Sequence, residues 1–275
     1  MNENVTIGTP DKRKIAFFGS NRFPVIAGPC LVESKELLQQ VATELCRIQA
    51  LLPIDFIFKS SYRKANRTSG TSITSIGDEK ALSYLADIKK EFSLPILTDI
   101  HLHTEAAFAA EICDVLQIPA FLSRQTDLLE AGAETGKVIN IKKAQFMSPQ
   151  DMKFAKEKVT RKGNPNVLLT ERGTSFGYGD LIVDFRSLDT MREFGSPIIY
   201  DATHSVQRPS QNGVSGGQRQ FIAPLARAAM AIGIDGLFIE THPNPEDAKS
   251  DAETQLPLSE LEKLLRSMLT FRYKV

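Results

Sequence analysis

Side chains that can do chemistry recur at the ends of short apolar runs in this 275-residue sequence. Each of eight runs ends in, or is soon followed by, a residue that can carry charge, bind a metal, transfer a proton or hydrogen-bond a substrate. In order they are Cys30, Lys59 and Ser61, Asp99 and His101, Gln117, Lys142 and Lys143, Glu171 and Arg172, Asp201 and His204, and Glu240 and His242. One such residue could be incidental, but eight in succession indicate that the run ends meet in one site.

Six basic residues at or just beyond the run ends form a first candidate group: Lys59, Lys64, Arg67, Lys142, Lys143 and Arg172. Lysine offers a point charge and arginine a planar fork, and both suit phosphate and carboxylate. If these cations converge, they repel one another unless an anion is bound. The group therefore predicts a small substrate with more than one phosphate or carboxylate. The alternative is solvated ion pairs with nearby acids, which fits one lysine better than it fits the group.

A second group contains residue types that bind transition metals: Cys30, His204, Glu240 and Asp251. Their spacing is not a zinc-finger pattern, and the support comes from position. Three of them lie at run ends, and Asp251 follows the last run. Cys30 could instead be a small buried hydrophobe, as we expect for Cys46 and Cys113, and His204 could be a structural histidine. The residues alone leave both interpretations open.

The eight runs are short, continuous and not alternating, as is typical of parallel strands buried on both faces. The predicted strands are Phe23–Ala27, Ile54–Lys59, Pro95–Ile100, Val115–Pro119, Val138–Lys142, Val167–Thr170, Pro197–Tyr200 and Gly236–Glu240. Apolar residues at helical spacing lie between some of them. The predicted helices are Ser34–Ile48, Glu79–Phe92, Pro149–Lys162, Ile222–Ile232 and Pro257–Leu269, with Ser34 and Ser148 as N-caps.

This alternation predicts an α/β protein, a (β/α)8 TIM barrel, which typically needs about 250 residues. In that fold the carboxyl ends of all strands meet at one face. A doubly wound sheet is the alternative, but no glycine-rich fingerprint follows the first strand. Val5–Ile7 and Lys14–Phe18 predict an N-terminal β-hairpin within residues 1–20 that closes the bottom of the barrel. Without repeats or linkers, we expect residues 1–275 to form one domain.

Lys+Arg and Asp+Glu both number 33, so the formal net charge is zero. A chain without charge excess has no overall field to attract nucleic acid or an anionic membrane. No apolar run approaches the roughly 20 residues of a membrane span, and three scattered cysteines favour a reducing compartment. We therefore expect a cytoplasmic protein with no nucleic-acid or membrane partner. Much of the acid that balances the cationic group is expected on helices outside the barrel.

Seven segments between Val25 and Leu258, in order along the chain, resemble the family of 3-deoxy-D-manno-octulosonate 8-phosphate synthase, or 2-dehydro-3-deoxyphosphooctonate aldolase. They are Ala27–Ser34, Phe58–Ser69, Leu116–Leu122, Ile139–Lys143, Glu171–Tyr178, Asp201–Ser205 and Phe238–Pro243. The related synthase that uses erythrose 4-phosphate typically has Lys-Pro-Arg where this chain has Lys64-Ala65-Asn66-Arg67. Asn66 therefore favours the octulosonate enzyme.

The resemblance implies a transferase that condenses phosphoenolpyruvate with D-arabinose 5-phosphate and water for lipopolysaccharide biosynthesis in a Gram-negative bacterium. By matching position, the phosphoenolpyruvate ligands would be Lys59, Ser61, Lys64, Gln117, Lys142 and Arg172. The arabinose 5-phosphate ligands would be Asn66, Arg67 and Thr68, used across a subunit boundary in a homotetramer. The candidate catalytic residues are His204, Lys142, Asp251 and Asp99.

The family has a metal-dependent branch and a metal-independent branch, and the independent branch carries Asn at the position of Cys30. This chain matches all four ligands of the dependent branch: Cys30, His204, Glu240 and Asp251. The resemblance therefore implies a divalent cation. A thiolate ligand favours Zn or Fe, with Mn as the third candidate.

Departures from the family pattern surround the predicted arabinose 5-phosphate loop. The family commonly reads Ser-Tyr-Arg-Gly-Pro-Gly at Ser72–Gly77, Asp at Arg63, and Asp-Val-His-Glu-Pro at Asp99–His103. Arg63 could replace the lost cation, or the chain could be an inactive barrel that only binds a phosphosugar. The polar stretches Lys64–Gly77 and Ser205–Gly217 are predicted to be substrate loops, lids or plain surface loops.

Overall fold

The computed structural model describes residues 5–65, 74–211 and 214–272, without the side chains of residues 209–215. The strands in this part of the chain are β1 Thr6–Gly8, β2 Lys14–Ala16, β3 Phe23–Gly28, β4 Ile54–Lys59, β5 Ile96–Asp99, β6 Val115–Ile118, β7 Val138–Lys142, β8 Val167–Glu171, β9 Thr174–Phe176, β10 Asp180–Ile182, β11 Ile198–Asp201, β12 Gln207–Gln211, β13 Val214–Gly217, β14 Gly236–His242 and β15 Leu256–Pro257. All eight predicted strands are among them, within two residues at each end.

Those eight strands form a closed parallel barrel in the order β3-β4-β5-β6-β7-β8-β11-β14. The barrel closes where β14 pairs with both β11 and β3, with Ile199 opposite Gly236 and Glu240 opposite Gly28. The predicted TIM barrel is confirmed. The doubly wound alternative is excluded, because an open sheet would leave two edge strands unpaired.

Eight α-helices are described: α1 Lys35–Leu51, α2 Asp78–Phe92, α3 Ala106–Ile112, α4 Thr126–Glu134, α5 Met152–Thr160, α6 Arg186–Arg192, α7 Ile222–Ile232 and α8 Leu258–Leu269. All five predicted helices are present. Ser34 caps α1 by accepting a hydrogen bond from the Leu37 amide at 3.1 Å, and Ser148 accepts one from the Asp151 amide. Helices α3, α4 and α6 were not predicted, because their seven to nine residues are too short to show a clear helical period.

The N-terminal hairpin, β1 paired with β2, closes the amino end of the barrel as predicted. Its buried side chains Val5, Ile7, Ile15 and Phe17 join one apolar cluster with a residue from each barrel strand. The barrel members are Ile26, Ile57, Leu97, Val115, Val138, Leu168, Ile199 and Phe238. The amino half of the barrel is therefore dry, and polar groups inside the barrel lie on the other side of this cluster.

Two further antiparallel hairpins follow barrel strands at the carboxyl face. One pairs β9 with β10 after β8, and the other pairs β12 with β13 after β11. The second covers most of Ser205–Gly217, which we predicted as a loop. Its residues are mainly polar, so no apolar alternation revealed the strands. Among the described helices, none combines the length and apolar character that a membrane span requires.

Candidate active site

The carboxyl ends of the barrel strands bring most of the predicted polar residues to one buried mouth. Its floor is the ring of Phe238, which also belongs to the apolar cluster below. The Lys142 ammonium lies 3.6 Å from the centroid of this ring, and the Lys59 ammonium lies 5.6 Å from it. Both lysines are buried, at 5% and 0% exposure. The barrel therefore holds two cations at the boundary between its dry half and its polar half.

Most cations of the mouth pair with carboxylates of the barrel, so the charge balance differs from our expectation. The nitrogen–oxygen distances are 2.5 Å for Lys59–Glu240, 2.7 Å for Lys142–Asp201 and 3.8 Å for Lys64–Asp99. Lys143 also has a carboxylate partner, Glu171 at 3.6 Å, but this pair lies on the outer side of the barrel, where Glu171 accepts from Ser187 of α6. The prediction that these cations repel one another without an anion is therefore wrong. The pairs are buried rather than solvated, and removing either partner would leave an uncompensated charge.

Arg172 is the exception, because its guanidinium has no carboxylate partner within salt-bridge distance in the described residues. Its Nη2 donates to Gln207 Oε1 at 2.9 Å, while Nη1 is buried and has no hydrogen-bond partner among the residues that the structure describes. Burial lowers the pKa of this group, although nearby acids, Asp201 foremost, act in the opposite direction. A buried arginine donor without a partner is costly. An anionic ligand in the mouth would satisfy it.

Lys142, Asp201 and His204 form a compact group on one side of the mouth. Asp201 Oδ2 accepts from Lys142 Nζ at 2.7 Å and lies 2.9 Å from His204 Nδ1. Asp201 Oδ1 accepts from the backbone amides of Thr203 and His204. Burial works to raise the pKa of Asp201, but His204 and Lys142 hold it well below its usual value. Asp201 thus stays ionised, fixes the histidine ring and leaves His204 Nε2 facing the mouth.

Asp99 organises the opposite side through both of its oxygens. Ser61 donates to Oδ2, and Gln117 Nε2 donates to Oδ1 at 2.5 Å. Burial works to raise the pKa of Asp99, but Lys64 and Lys59 hold it low. Two residues that the sequence analysis missed extend this network. Asn140 Nδ2 donates to Gln117 Oε1 at 2.8 Å, and Thr170 donates to Asn140 Oδ1 at 2.6 Å. The sequence feature that could have revealed Asn140 and Thr170 is a polar residue inside a predicted apolar strand.

Three of the four predicted metal ligands lie together where the first and last barrel strands meet. Ligand atoms of Cys30, Glu240 and Asp251 are all within 4.8 Å of one another, and Cys30 Sγ is 3.0 Å from Asp251 Oδ2. His204 Nε2 lies 3.8 Å from Glu240 Oε1 and 3.9 Å from Asp251 Oδ2. The sequence thus brings all four residues to one place, although 221 positions separate Cys30 from Asp251.

The chemistry of this cluster fits a divalent cation. Glu240 Oε2 is buried and has no hydrogen-bond partner in the described residues, which is costly unless a ligand binds it. Asp251 adopts a left-handed backbone with φ of 49°, an unfavourable conformation that often marks functional positions. Burial raises the pKa of the Cys30 thiol, and Asp251 and Glu240 add to this effect. A bound cation would offset both negative neighbours and stabilise the thiolate.

The three cysteines differ in their surroundings. Cys113 is buried in the main apolar core, and Cys46 packs against the same core from α1. Both occupy the positions that we predicted for small hydrophobes. Cys30 is also buried, but it faces Ser250 and Asp251 rather than apolar side chains alone.

Gly28 fixes the distance between β3 and β4 next to Cys30 and Lys59. A Cβ atom on Gly28 would lie 2.1 Å from the Lys59 carbonyl oxygen. We expect Gly28→Ala to lower the free energy of unfolding by about 3 kcal/mol, because a backbone group must move. Urea unfolding followed by circular dichroism measures this. The control is Gly8→Ala, where nothing lies within 4 Å of the added atom. A Gly28→Ala protein as stable as this control would contradict the argument.

The predicted arabinose 5-phosphate residues Asn66, Arg67 and Thr68 lie outside the described residues. The chain on either side is described: Lys64 points to Asp99, and the Lys64 amide donates to the Thr74 carbonyl at 2.9 Å. Arg63 was suggested as a replacement cation for the substrate. Its guanidinium instead contacts Asp78 and Glu105.

The chain is similar to known proteins over nearly its whole length. Residues 5–273 match the DAHP synthetase I family. A 2-dehydro-3-deoxyphosphooctonate aldolase of Agrobacterium fabrum is 52% identical over 259 residues, covering 94% of this chain and 92% of the relative. Proteins of the same name from Brucella anthropi and Rhizobium meliloti are 51% and 49% identical over 271 residues, covering 98% of this chain and 96% of each relative. The resemblance inferred from the seven segments is confirmed, and the chain belongs to the DAHP synthetase I family.

Proposed function

We propose that this protein condenses phosphoenolpyruvate with D-arabinose 5-phosphate and water, giving 3-deoxy-D-manno-octulosonate 8-phosphate and phosphate for lipopolysaccharide biosynthesis. The observation that carries the proposal is the 49–52% identity, over nearly the whole chain, with relatives named 2-dehydro-3-deoxyphosphooctonate aldolase. The mouth of the barrel adds chemical support, because it combines buried cations with a site suited to a metal.

Phosphoenolpyruvate fits the deep part of the mouth. The residues that would hold it are Lys59, Ser61, Lys64, Gln117, Lys142 and Arg172. Arg172 has a buried donor free for the phosphate or carboxylate. Arabinose 5-phosphate would bind Asn66, Arg67 and Thr68. These three follow Lys64 in the chain, so the sugar would lie beside the phosphoenolpyruvate site.

In this reaction C3 of phosphoenolpyruvate attacks the aldehyde carbon of the sugar, forming a carbon–carbon bond, and the aldehyde oxygen takes up a proton. Water adds to C2, and the bond between C2 and the phosphate oxygen breaks to release phosphate. The lysines and Arg172 would neutralise the substrate charges and fix the approach of the two carbons, a proximity effect. Asp201 holds Lys142 where it can exchange protons with the reacting oxygens, and its contact with His204 Nδ1 would join that histidine to the same proton relay. Asp99 and Asp251 would orient hydroxyl groups or water.

We further propose that Cys30, His204, Glu240 and Asp251 hold a divalent cation, with Zn or Fe favoured over Mn. When bound, the cation supplies Lewis acidity toward the aldehyde or the water. The arrangement supports this role, because His204 Nδ1 contacts Asp201 and leaves Nε2 for the metal, a common pattern at histidine ligands.

We also propose that the enzyme is a cytoplasmic homotetramer. Large apolar side chains are exposed on the surface, which suits subunit contacts. They include Leu102, Phe121, Phe146, Phe154, Phe176 and Tyr178. Sedimentation velocity of the purified chain measures the assembly directly.

The test of the function is a phosphate-release assay with phosphoenolpyruvate and each aldose phosphate separately. We expect release that depends on arabinose 5-phosphate and is at least about 100-fold less efficient with erythrose 4-phosphate. Mass spectrometry of the product should find the eight-carbon phosphate ester. Preference for the four-carbon sugar would replace the proposal with the related synthase. No aldose-dependent release from metal-loaded protein would favour the inactive barrel.

A further inference from the structure

Two buried ionic residues that the proposed mechanism does not use lie on the outer side of the barrel. Lys143 follows β7 and Glu171 ends β8, and both side chains are 0% exposed. Successive side chains of a strand point to opposite faces. Because the neighbouring Lys142 and Arg172 face the mouth, this pair faces the surrounding helices. The prediction that Lys143 joins the cations of the mouth is therefore wrong.

The Lys143 ammonium contacts the chain directly after Arg172. Its Nζ donates to Thr174 Oγ1 at 3.0 Å and to the Gly173 carbonyl at 3.2 Å. The same nitrogen lies 3.6 Å from Glu171 Oε1. Burial lowers the pKa of Lys143, although Glu171 opposes this effect. A buried ammonium is costly without such partners, so these contacts hold the lysine and the adjoining chain in one arrangement.

Glu171 holds the same stretch of backbone from the other side. Its Oε1 accepts from the Gly173 amide at 2.6 Å, and its Oε2 accepts from Ser187 of α6 at 2.6 Å. Gly173 has a φ of 92°, in the left-handed region that glycine adopts most readily, and the chain turns there from β8 into β9. Glu171 therefore fixes the amide of Gly173, while Lys143 fixes its carbonyl.

Arg172 depends on this backbone more than the lysines of the mouth do. Lys59 and Lys142 are each held by a carboxylate at 2.7 Å or less. Within the ranges that the structure describes, the Arg172 guanidinium has no such carboxylate and contacts Gln207 at 2.9 Å. On one side of Arg172, β8 is fixed by its pairing with β7 and β11. On the other side the chain is held at Gly173, so the contacts of this glycine set the direction in which the arginine leaves the backbone.

We propose that the Lys143–Glu171 pair positions Arg172 for anion binding, by fixing both polar backbone groups of Gly173. The two are positioning residues, since neither side chain faces the mouth. The inference rests on the proposed function for the identity of the anion, phosphoenolpyruvate, and on the described contacts for its mechanism. Removing one partner of a buried pair leaves the other charge uncompensated, so the disturbance would reach Gly173 and then the arginine.

Binding of phosphoenolpyruvate to the purified full chain, measured by titration calorimetry, tests the pair directly. Glu171→Gln keeps the shape of the side chain but removes the charge that faces Lys143. We expect this variant to raise the Kd about tenfold, because a displaced Arg172 contacts the anion poorly, while kcat stays within about twofold. Lys143→Met should have the same effect, and Glu171→Gln carries the test if that variant does not fold. If Lys143 instead bound the anion itself, Glu171→Gln would free the ammonium and leave the Kd unchanged or lower, which would overturn the proposal.

A double-mutant cycle with Arg172→Met separates positioning from a general loss of structure. If the pair acts through Arg172, adding Glu171→Gln to Arg172→Met changes the Kd by less than about twofold, although Glu171→Gln alone changes it about tenfold. Equal losses in both backgrounds would show that the pair does not act through the arginine, and the proposal would be wrong.

Lys89 offers a matched control, because it also donates to a backbone carbonyl and to a carboxylate. Its Nζ lies 2.8 Å from the Ile112 carbonyl and 2.8 Å from Asp114 Oδ1, just before β6 at the amino end of the barrel. Lys89→Met should lower the Tm, as Lys143→Met does, but leave the Kd for phosphoenolpyruvate unchanged. A rise in Kd equal to that of Lys143→Met would reduce the effect to a loss of stability and count against positioning.

The same measurements distinguish the pair from the proposed function. If the wild type prefers erythrose 4-phosphate, the proposed function fails, but weaker binding of phosphoenolpyruvate in Glu171→Gln still supports the pair. If the wild type makes the expected eight-carbon product and both single variants bind phosphoenolpyruvate as the wild type does, the positioning role alone is refuted.

Discussion

Prolonged chelation of the purified protein should abolish phosphate release that depends on the sugar, and added Zn or Fe should restore it. The reason is the cluster of Cys30, Glu240 and Asp251, whose ligand atoms lie within 4.8 Å of one another. One carboxylate oxygen of Glu240 is buried there without a hydrogen-bond partner in the described part of the chain. Without a cation, the negative groups also oppose ionisation of the thiol. Metal content measured alongside the two-substrate assay checks both parts of the prediction.

The cysteines provide a matched pair of variants for this test. We expect Cys30→Ser to lose at least about 100-fold in metal affinity, since even residues behind the ligands commonly contribute 10–100-fold. Cys46→Ser, on α1 and away from the cluster, should retain the wild-type metal content. Cys30→Asn is a less direct probe, because the resemblance implies Asn at this position in the metal-independent branch. Full activity in demonstrably metal-free wild-type protein would refute the metal proposal.

Lys142→Met should reduce kcat/KM about 1,000-fold, a loss at the upper end for one charged donor in an active site. Lys142 is the cation 3.6 Å from the Phe238 ring centroid, and it shares Asp201 with His204. Methionine can keep the packing on that ring but loses the charge. The loss of a buried partner of Asp201 should lower the Tm, but the fold should survive, because Asp201 keeps its contact with His204 and its hydrogen bonds to the backbone amides of Thr203 and His204. Steady-state kinetics with circular dichroism test both expectations.

Lys35→Met is the control for this substitution. Lys35 pairs with Asp87 across α1 and α2 at 2.6 Å, and both side chains are at least 40% exposed. Exposed pairs of this kind contribute little, so kcat/KM should match the wild type. A loss of less than tenfold in Lys142→Met would show that this ammonium does not contact the reacting groups.

The barrel was predictable because its strands are buried on both faces, and continuous apolar runs mark such strands plainly. The polar residues at the run ends were predictable in the same way, because each of them follows a recognisable buried strand. The partners of these charges were not predictable. Lys59 and Glu240 lie 181 positions apart, and only closure of the barrel places them 2.5 Å from each other. Local patterns carry no information on which acid will meet which base.

Strands built from polar residues, and the partners of charged side chains, were the hardest features to predict. The hairpin of β12 and β13 is built mainly from glutamine, serine, glycine and arginine, so its strands lack the apolar signal. Arg63 shows the same limitation in the site. Its charge suggested a substrate ligand. In the structure its guanidinium instead pairs with Asp78 and Glu105, which lie 15 and 42 positions further along the chain.

Barrel closure also sets an order of events in the cell. Cys30 follows β3, the first barrel strand, while Glu240 lies on β14, the last. The cluster cannot exist until β14 has been synthesised and has paired with β3. A ribosome-bound chain that stops before Gly236 therefore has most of its barrel strands but no complete metal site. The proposed cation would have to be acquired after β14 has been synthesised, so metal loading would report that the barrel has closed.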